Sequence, residues 1–417
     1  MRRAAVRVGT LAGAAVPICF YLSDSQSSFY KHALKAGKAF TEKDAELAHK
    51  IAVFLAKNSI VPFDRIGNND MLAVKIWGHS FPNPIGLAAG FDKNAECMKS
   101  MLSGGLGFGF VEVGTITPNP QDGNPTPRVF RLSRDSAIIN RYGFNSDGVE
   151  SVKKNLAAFR NKEMNSQGLV GVNLGKNLTT EDAASDYALG TRELAQYADY
   201  IVINVSSPNT AGLRSLQNKE KLHHLISVVQ QELKSTVEGT EYSSKSCNSS
   251  SSFRPPLLIK ISPDMTDLEM ADVAEVALQL RIDGIIISNT TIGERDSLLE
   301  QDLSKESGGL SGKPLLNISN EALSKMYILT GGRIPLIGVG GVSCAADVYE
   351  KLKRGASLVQ LYTALIYEGP GLPATLKEEL LHLMMKDGHN NIDSVIGSTH
   401  KDIVRNSCHE NHIEIEE

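Results

Sequence analysis

Cysteine is scarce in this chain, and what there is shows no pairing. Cys19, Cys97, Cys247, Cys344 and Cys408 are five thiols scattered over 417 residues. Their number is odd, and they form neither a CxxC pair nor an iron–sulfur spacing, which excludes a disulfide scaffold and a thiolate-held cluster. Cys408, His409 and His412 lie close together near the C-terminus without further ligands, so no metal site is read. The net charge is −4 and no basic stripe runs through the chain, which argues against a nucleic-acid partner. No apolar run reaches the ~20 residues of a full membrane span. The run that comes nearest, Val8 to Leu22, is interrupted by Thr10 and Pro17. No Gly-x-Gly-x-x-Gly follows a strand and opens a helix, so the dinucleotide fingerprint is missing. No internal repeat is evident beyond an alternation of strands and helices.

Among the features present, Asn204-Val205-Ser206-Ser207-Pro208-Asn209-Thr210 carries the most information. It follows the apolar run Tyr200-Ile201-Val202-Ile203, and Pro208 ends the strand because proline donates no ladder hydrogen bond. Its two amides and three hydroxyls donate and accept while staying neutral, which suits a flat, polar heterocycle better than a phosphate or a metal. A Ser-Pro turn that satisfies its own backbone is the bland alternative.

Eight short apolar runs are present: Pro84 to Gly90, Phe110 to Thr115, Leu169 to Leu174, Tyr200 to Val205, Leu257 to Ile261, Gly284 to Ser288, Pro335 to Gly338 and Leu358 to Tyr362. Most are continuous rather than alternating, as in strands covered on both faces. Helical stripes lie between them. In Glu269 to Leu280, Met270, Val273, Ala274, Ala277 and Leu278 share one side, and Leu222 to Leu233 and Ala345 to Leu352 are similar. The pattern predicts an α/β fold, a (β/α)8 TIM barrel, with a doubly wound open sheet as its competitor.

The eight strand ends turn polar or glycine-rich together, which points to one shared site at the C-terminal face. Gly338, Gly340 and Gly341 either cradle a phosphate with backbone N–H groups or relieve crowding in a tight turn. Lys93 and Lys260 sit at strand ends, where a lysine pairs with an anion, tunes a cofactor or becomes a nucleophile; the alternative is a salt bridge to Asp92 or Asp264. Asn-x-Ser/Thr sequons at Asn204 and Asn289 would fall inside the barrel mouth and are read as chance.

Several segments together resemble dihydroorotate dehydrogenases: Asn204 to Thr210 with Ala211-Gly212-Leu213-Arg214, Ala88-Ala89-Gly90-Phe91-Asp92-Lys93, Gly123-Asn124-Pro125-Thr126-Pro127-Arg128, Asn140-Arg141-Tyr142-Gly143-Phe144-Asn145, Gly309-Leu310-Ser311-Gly312 and Gly338-Val339-Gly340-Gly341. The likeness runs from about Phe29 to about Thr399 and is to the class 2, membrane-associated, quinone-reducing type. It implies an FMN barrel that oxidises (S)-dihydroorotate to orotate in de novo pyrimidine (UMP) biosynthesis, with hydride passing from C6 to FMN, the C5 proton to a serine base, and electrons to ubiquinone. By the resemblance Ser207 is the base, where class 1 enzymes carry cysteine. A hydroxyl is a weak base at its free pKa, so Thr210 and a water are candidates for a proton relay. Phe144 would shield the site. Lys93, Asn140, Arg141, Tyr142, Gly143, Phe144, Asn204, Asn209, Asn289 and Thr290 map onto substrate contacts. Ala88, Ala89, Gly90, Gly114, Thr115, Asn140, Asn173, Asn204, Lys260, Ser288, Gly312, Gly340, Gly341, Tyr362 and Thr363 map onto cofactor contacts. Lys260 would lie beside the flavin pyrimidine edge, where positive charge favours the reduced, anionic flavin.

The first residues carry Arg2, Arg3 and Arg7 and no acid before Asp24, which fits mitochondrial targeting; a secretory signal is the alternative, disfavoured by the unpaired cysteines. Residues 1–27 are therefore read as a targeting and inner-membrane anchor segment and 28–65 as a helical hairpin. Residues 66–400 are read as the barrel, with a disordered Ser-rich insertion over 238–252, and 401–417 as a mobile acidic tail. In the hairpin, Phe29, Ala33, Ala36 and Phe40 form one stripe and Leu47, Ile51, Phe54 and Leu55 another, with Thr41 as cap of the second helix and Asp44 as its capping-box partner. It is either an ordinary amphipathic hairpin packed on the barrel or, by the resemblance, a membrane-resting ubiquinone tunnel lined by Phe40, His49, Phe91, Arg131 and Tyr362. Phe40 departs from the polar residue expected there, so inhibitor binding should differ from that of relatives with a polar group. The expected partners are dihydroorotate and orotate, ubiquinone and inner mitochondrial membrane lipid, with no obligate protein partner. Competing readings are a flavin barrel with a soluble acceptor, a Schiff-base aldolase or decarboxylase using Lys260, and a non-catalytic membrane-tethered module.

Overall fold

The computed structural model describes residues 21–162, 168–239 and 254–405. Eight strands close into a ring: β1 (Ile85–Leu87), β2 (Phe110–Ile116), β3 (Leu169–Leu174), β4 (Tyr200–Asn204), β5 (Leu257–Ile261), β6 (Gly284–Ile287), β7 (Leu336–Val339) and β8 (Ala356–Leu361). All eight neighbouring pairs are parallel, including β8 with β1, so the open-sheet alternative does not apply. Every residue of β1 to β7 is buried, because outer helices cover one face and the packed interior covers the other. The expected strands are present, and β8 starts two residues earlier than its apolar run suggests. The expected helices are present as Lys219–Gly239, Asp267–Gln279 and Ala345–Lys353. The second opens on a capping box between Thr266 and Glu269 and buries Met270, Val273, Ala274 and Ala277.

Two additions to the barrel were not read from the sequence. A short hairpin, Val74–Ile76 paired with His79–Phe81, closes the N-terminal end. Its Trp77 Nε1 donates to the Asp283 carbonyl at 2.7 Å and its ring lies 5.8 Å from that of Tyr200. At the other end, Val129–Leu132, Ala137–Asn140 and Gly309–Gly312 form a three-stranded antiparallel sheet from the insertions after β2 and β6. Its register sets Gly309 opposite Asn140 and Gly312 opposite Ala137, which brings Asn140 and Gly312 to the barrel mouth.

The N-terminal region forms α1 (Ser28–Lys43) and α2 (Ala45–Lys57). The expected Thr41 cap is corrected: α1 runs through Thr41 to Lys43, and Asp44 caps α2 by accepting from Leu47 N at 2.8 Å. A carboxylate is the better cap there, because it also meets the positive end of the helix dipole. Phe40 lies in α1, but its side chain falls outside the described residues. The helix Lys219–Gly239 runs two residues into the segment expected as an insertion, and residues 240–253 lie outside the described residues. So do 1–20, with most of the expected anchor, and 406–417; residues 401–405 are helical rather than tail-like. Among the described residues no helix is long and apolar enough to cross a membrane.

Candidate active site

The strand ends enclose a continuous cavity of about 510 Å³ that extends under α1 and α2. Its polar end is built on one buried carboxylate. Glu112, fully buried in β2, accepts from Asn173 Nδ2 at 2.7 Å and Gln360 Nε2 at 2.7 Å, and from the Tyr200 hydroxyl at 3.3 Å. Lys260 Nζ lies 3.8 Å from the same carboxylate. Burial lowers the Lys260 pKa and Glu112 opposes that shift. The expected alternative for Lys260, an ion pair with Asp264, does not form, since Asp264 binds Arg214 at 2.8 Å.

Above this floor, neutral groups form a ladder. Thr115 Oγ1 donates to Asn173 Oδ1 at 2.6 Å, and Asn204 Nδ2 donates to Thr115 Oγ1 at 2.9 Å. Asn289 Nδ2 donates to Ser206 Oγ at 2.9 Å, whose hydroxyl donates to Asn204 Oδ1 at 2.9 Å. Asn209 Nδ2 donates to Asn140 Oδ1 at 3.2 Å. These residues come from strands far apart in sequence, and ring closure brings their ends together. Ser207 Oγ lines the cavity and accepts from Asn209 N at 3.3 Å, so the segment is both a self-satisfied turn and part of the wall. Thr210 is buried, its Oγ1 has no protein partner, and it is not among the wall residues; Thr290 Oγ1 also lacks a partner, but Thr290 lines the cavity.

Lys93 does not pair with Asp92, which instead accepts from Glu96 N and Cys97 N. Its ammonium donates to Asn145 Oδ1 at 2.7 Å and sits 4.1 Å from the Tyr142 ring centre. Burial first, then repulsion from Arg128, bring the Lys93 pKa down to about 7, against attraction from Glu46. Phe144 lines the same end in a left-handed conformation, φ 57°, which is rare for a bulky side chain.

Gly340 and Gly341 follow β7 with φ of 111° and 79°. A Cβ on Gly341 would stand 2.3 Å from Leu316 Cα at the start of the helix Leu316–Leu329, so only glycine lets this loop lie flat on that helix. Crowding relief and a flat loop for an anion are thus compatible. Gly312, Tyr362 and Thr363 line the wall beside it, with Ala88, Ala89, Gly90, Ser288 and Gly143.

The remaining expected residues divide. Gly114 and Asn173 are not on the wall; Gly114 accepts from Gly90 N at 2.8 Å, and Asn173 acts through Thr115 and Asn204. Arg141 points away, pairing with Glu306 at 2.6 Å and stacking on Phe130, so its guanidinium is not directed at the cavity. In the apolar arm His49, Phe91, Arg131 and Tyr362 all line the wall. His49 Nε2 bonds the Phe91 carbonyl at 2.8 Å and its pKa falls to about 4, chiefly through burial, so the ring is neutral at physiological pH. The arm continues along Tyr30, Leu34, Ala52, Leu55, Ile60 and Val61. Sequence reasoning missed Glu112, Gln360 and Glu46, and gave Ser206, inside the segment it singled out, no role of its own. An acid inside the otherwise apolar run of β2 was the available signal for Glu112, since a buried carboxylate needs partners.

The fold and site define a (β/α)8 barrel enzyme with a ligand site on its C-terminal face. Residues 71–384 match the family model described as dihydroorotate dehydrogenase. The chain is 46% identical to the mitochondrial dihydroorotate dehydrogenase (quinone) of Arabidopsis thaliana, across 96% of this chain and 90% of the relative. It is 49% identical to that of Mus musculus, across 86% and 87%. The DHODH of Eimeria tenella in complex with ferulenol superposes with a TM-score of 0.81 at 42% identity, covering 86% of this chain and 96% of that one. This chain belongs to the dihydroorotate dehydrogenase family.

Proposed function

We propose that the chain oxidises (S)-dihydroorotate to orotate in de novo pyrimidine (UMP) biosynthesis, in mitochondria, with ubiquinone as electron acceptor. The observation that carries this reading is the two-ended cavity: neutral amides, Ser207 and two lysines at the barrel mouth, and an apolar arm beneath the hairpin at the other end. A planar ring whose N–H and C=O groups alternate suits Asn140, Asn204, Asn209 and Asn289, whose amides offer both donors and acceptors. Lys93 offers a cation to a substrate carboxylate.

FMN is the cofactor this site fits. The flat Gly340–Gly341 loop beside Thr363 suits a phosphate, the Thr115–Asn173–Asn204 ladder a polar ring edge, and Lys260 the pyrimidine edge. Ala88, Ala89, Gly90, Ser288, Gly312 and Tyr362 would complete its walls. When bound, FMN would accept the hydride from C6 of the substrate. Ser207 Oγ takes the C5 proton, and a water toward Thr210 Oγ1, which has no protein partner, carries it onward. Phe144 keeps bulk water from the reacting face. His49, Phe91, Arg131 and Tyr362 line the quinone path.

Exposed Phe29, Leu47, Ile51 and Phe54 suit contact with lipid, and with the arginine-bearing N-terminus they support attachment to the inner mitochondrial membrane. Residues 1–27 would anchor, 28–65 form the quinone hairpin, 66–400 the barrel and 401–417 a tail, with no obligate protein partner. The test is an absorbance spectrum of the purified protein before and after anaerobic dihydroorotate. Flavin bands that bleach are the expected result. Flavin bands that persist would reject the substrate, and a folded, colourless protein would reject the cofactor.

A further inference from the structure

The hairpin and the polar end of the cavity are joined by a largely shielded ion pair. Glu46 of α2 receives two bonds from Arg128, Nε to Oε2 at 2.9 Å and Nη2 to Oε1 at 2.8 Å, and Lys50 approaches its Oε1 at 3.2 Å. Only 12% of the Glu46 side chain and 10% of the Arg128 side chain are exposed, so the pair is largely shielded from water. Arg128 spends its other nitrogen on the loop it closes: Nη1 donates to the carbonyls of Asp122 at 2.6 Å and Asn124 at 2.9 Å. Asn124 in turn clasps the site. Its Nδ2 donates to the Asn209 carbonyl at 3.2 Å and the Arg141 carbonyl at 2.9 Å, and its N donates to the Tyr142 carbonyl at 2.8 Å. The Arg128 guanidinium also lies 5.1 Å from the Tyr142 ring, the ring that Lys93 approaches at 4.1 Å.

We infer that Glu46, on the helix assigned to quinone passage, is a positioning residue for the dihydroorotate end: through Arg128 and Asn124 it sets the Asn209–Tyr142 wall and the charge environment of Lys93. This rests on the substrate reading above. Without Glu46 the guanidinium loses the two bonds that fix its orientation, so its grip on the Asp122 and Asn124 carbonyls loosens, and it loses its counter-charge, so its repulsion of Lys93 stands uncompensated. Arg128 holds the Glu46 carboxyl down to about 2, so the carboxylate is charged at any working pH. A looser wall and a less protonated Lys93 both weaken binding of an anionic substrate, whereas in the apolar arm Glu46 acts on His49, whose ring is neutral with or without it. Glu46 makes no contact with substrate in this role; it acts through Arg128.

The experiment uses full-length holoenzyme. Anaerobic stopped-flow reduction of the flavin by dihydroorotate is measured for the unaltered protein, Glu46→Gln and Glu46→Asp, with the KM for ubiquinone measured in parallel. Glu46→Gln should raise the dihydroorotate concentration for half-maximal reduction by about tenfold, within the range of site-to-site couplings. Flavin content and the ubiquinone KM should stay within about twofold of the unaltered protein, well below that coupling. Glu46→Asp, which keeps the charge, should recover most of the loss. Asn124→Ala, which leaves the ion pair and cuts the next link, should show the same split and serves if Glu46→Gln does not fold. Unchanged half-saturation in the folded variants, or an equal rise in ubiquinone KM, overturns the inference. Failure of the unaltered protein to be reduced at all would instead reject the substrate reading.

Discussion

Ser207, the proposed base, lines the cavity, and its Oγ accepts from Asn209 N. Ser207→Ala should therefore retain flavin and lose at least about a hundredfold in the rate of flavin reduction by dihydroorotate, the scale of a general-base contribution. Stopped-flow absorbance checks it, and an unchanged rate would remove Ser207 from the mechanism. Lys93 gives a pH dependence. Its amine is held down to about 7 by burial and by Arg128, against an ordinary 10.5. An anionic substrate favours the ammonium form, so binding above pH 7 takes up a proton and affinity should fall as pH rises. Below pH 7 the group is already charged and this dependence should flatten. Lys93→Met should bind weakly and without that slope, as read by titration of dissociation constant against pH. That Lys93 and Ser207 line the cavity was legible because each follows an apolar strand. Glu112 was passed over because, inside an apolar run, its partners Gln360, Tyr200 and Lys260 lie 88 to 248 residues away in the chain.

The hairpin is the element whose role depends most on what surrounds it. Leu47, Ile51 and Phe54 are more than 40% exposed although α2 lies against the barrel, a surface a water-facing helix would not carry without reason. Replacing Leu47 and Phe54 by Glu should lower binding to anionic phospholipid vesicles by tenfold or more, because each buried apolar side chain contributes roughly 1.5–3 kcal/mol. Flavin reduction by dihydroorotate should stay unchanged; co-sedimentation with vesicles and stopped-flow reduction measure the two. The spacing of apolar residues revealed both helices. Their junction was misread because Thr41 and Asp44 are both acceptable caps in isolation, and only the continuation of α1 to Lys43 decided for Asp44. The three-stranded sheet at the mouth left even less trace. Gly309 pairs with Asn140 across 169 residues of chain, and neither segment is long or regular enough to announce a strand.

At the scale of the whole molecule, the cavity joins two environments within one barrel. Deleting residues 1–60 removes the apolar arm and Glu46 together. The truncated protein should lose ubiquinone reduction, should keep flavin reduction at saturating dihydroorotate, and should need more dihydroorotate to reach it, as expected of Glu46→Gln. Quinone turnover that survives intact would show that the hairpin is not the path; steady-state assays with ubiquinone and with an artificial dye acceptor separate these outcomes. The sequence by itself determined the barrel, because eight apolar runs alternating with amphipathic helices bury their surface best in a closed ring. It also determined most of the wall, because each strand carries its polar residues at the same end. Only the tertiary structure decided which of them face the cavity. Arg141, beside Tyr142 in the chain, turns away to Glu306, while Thr210 is buried and not part of the wall that Ser207 lines. Only it decided, too, that a hairpin carboxylate closes on Arg128 across 82 residues. Side-chain direction and long-range ion pairs depend on neighbours that ring closure supplies, and local periodicity carries no record of them.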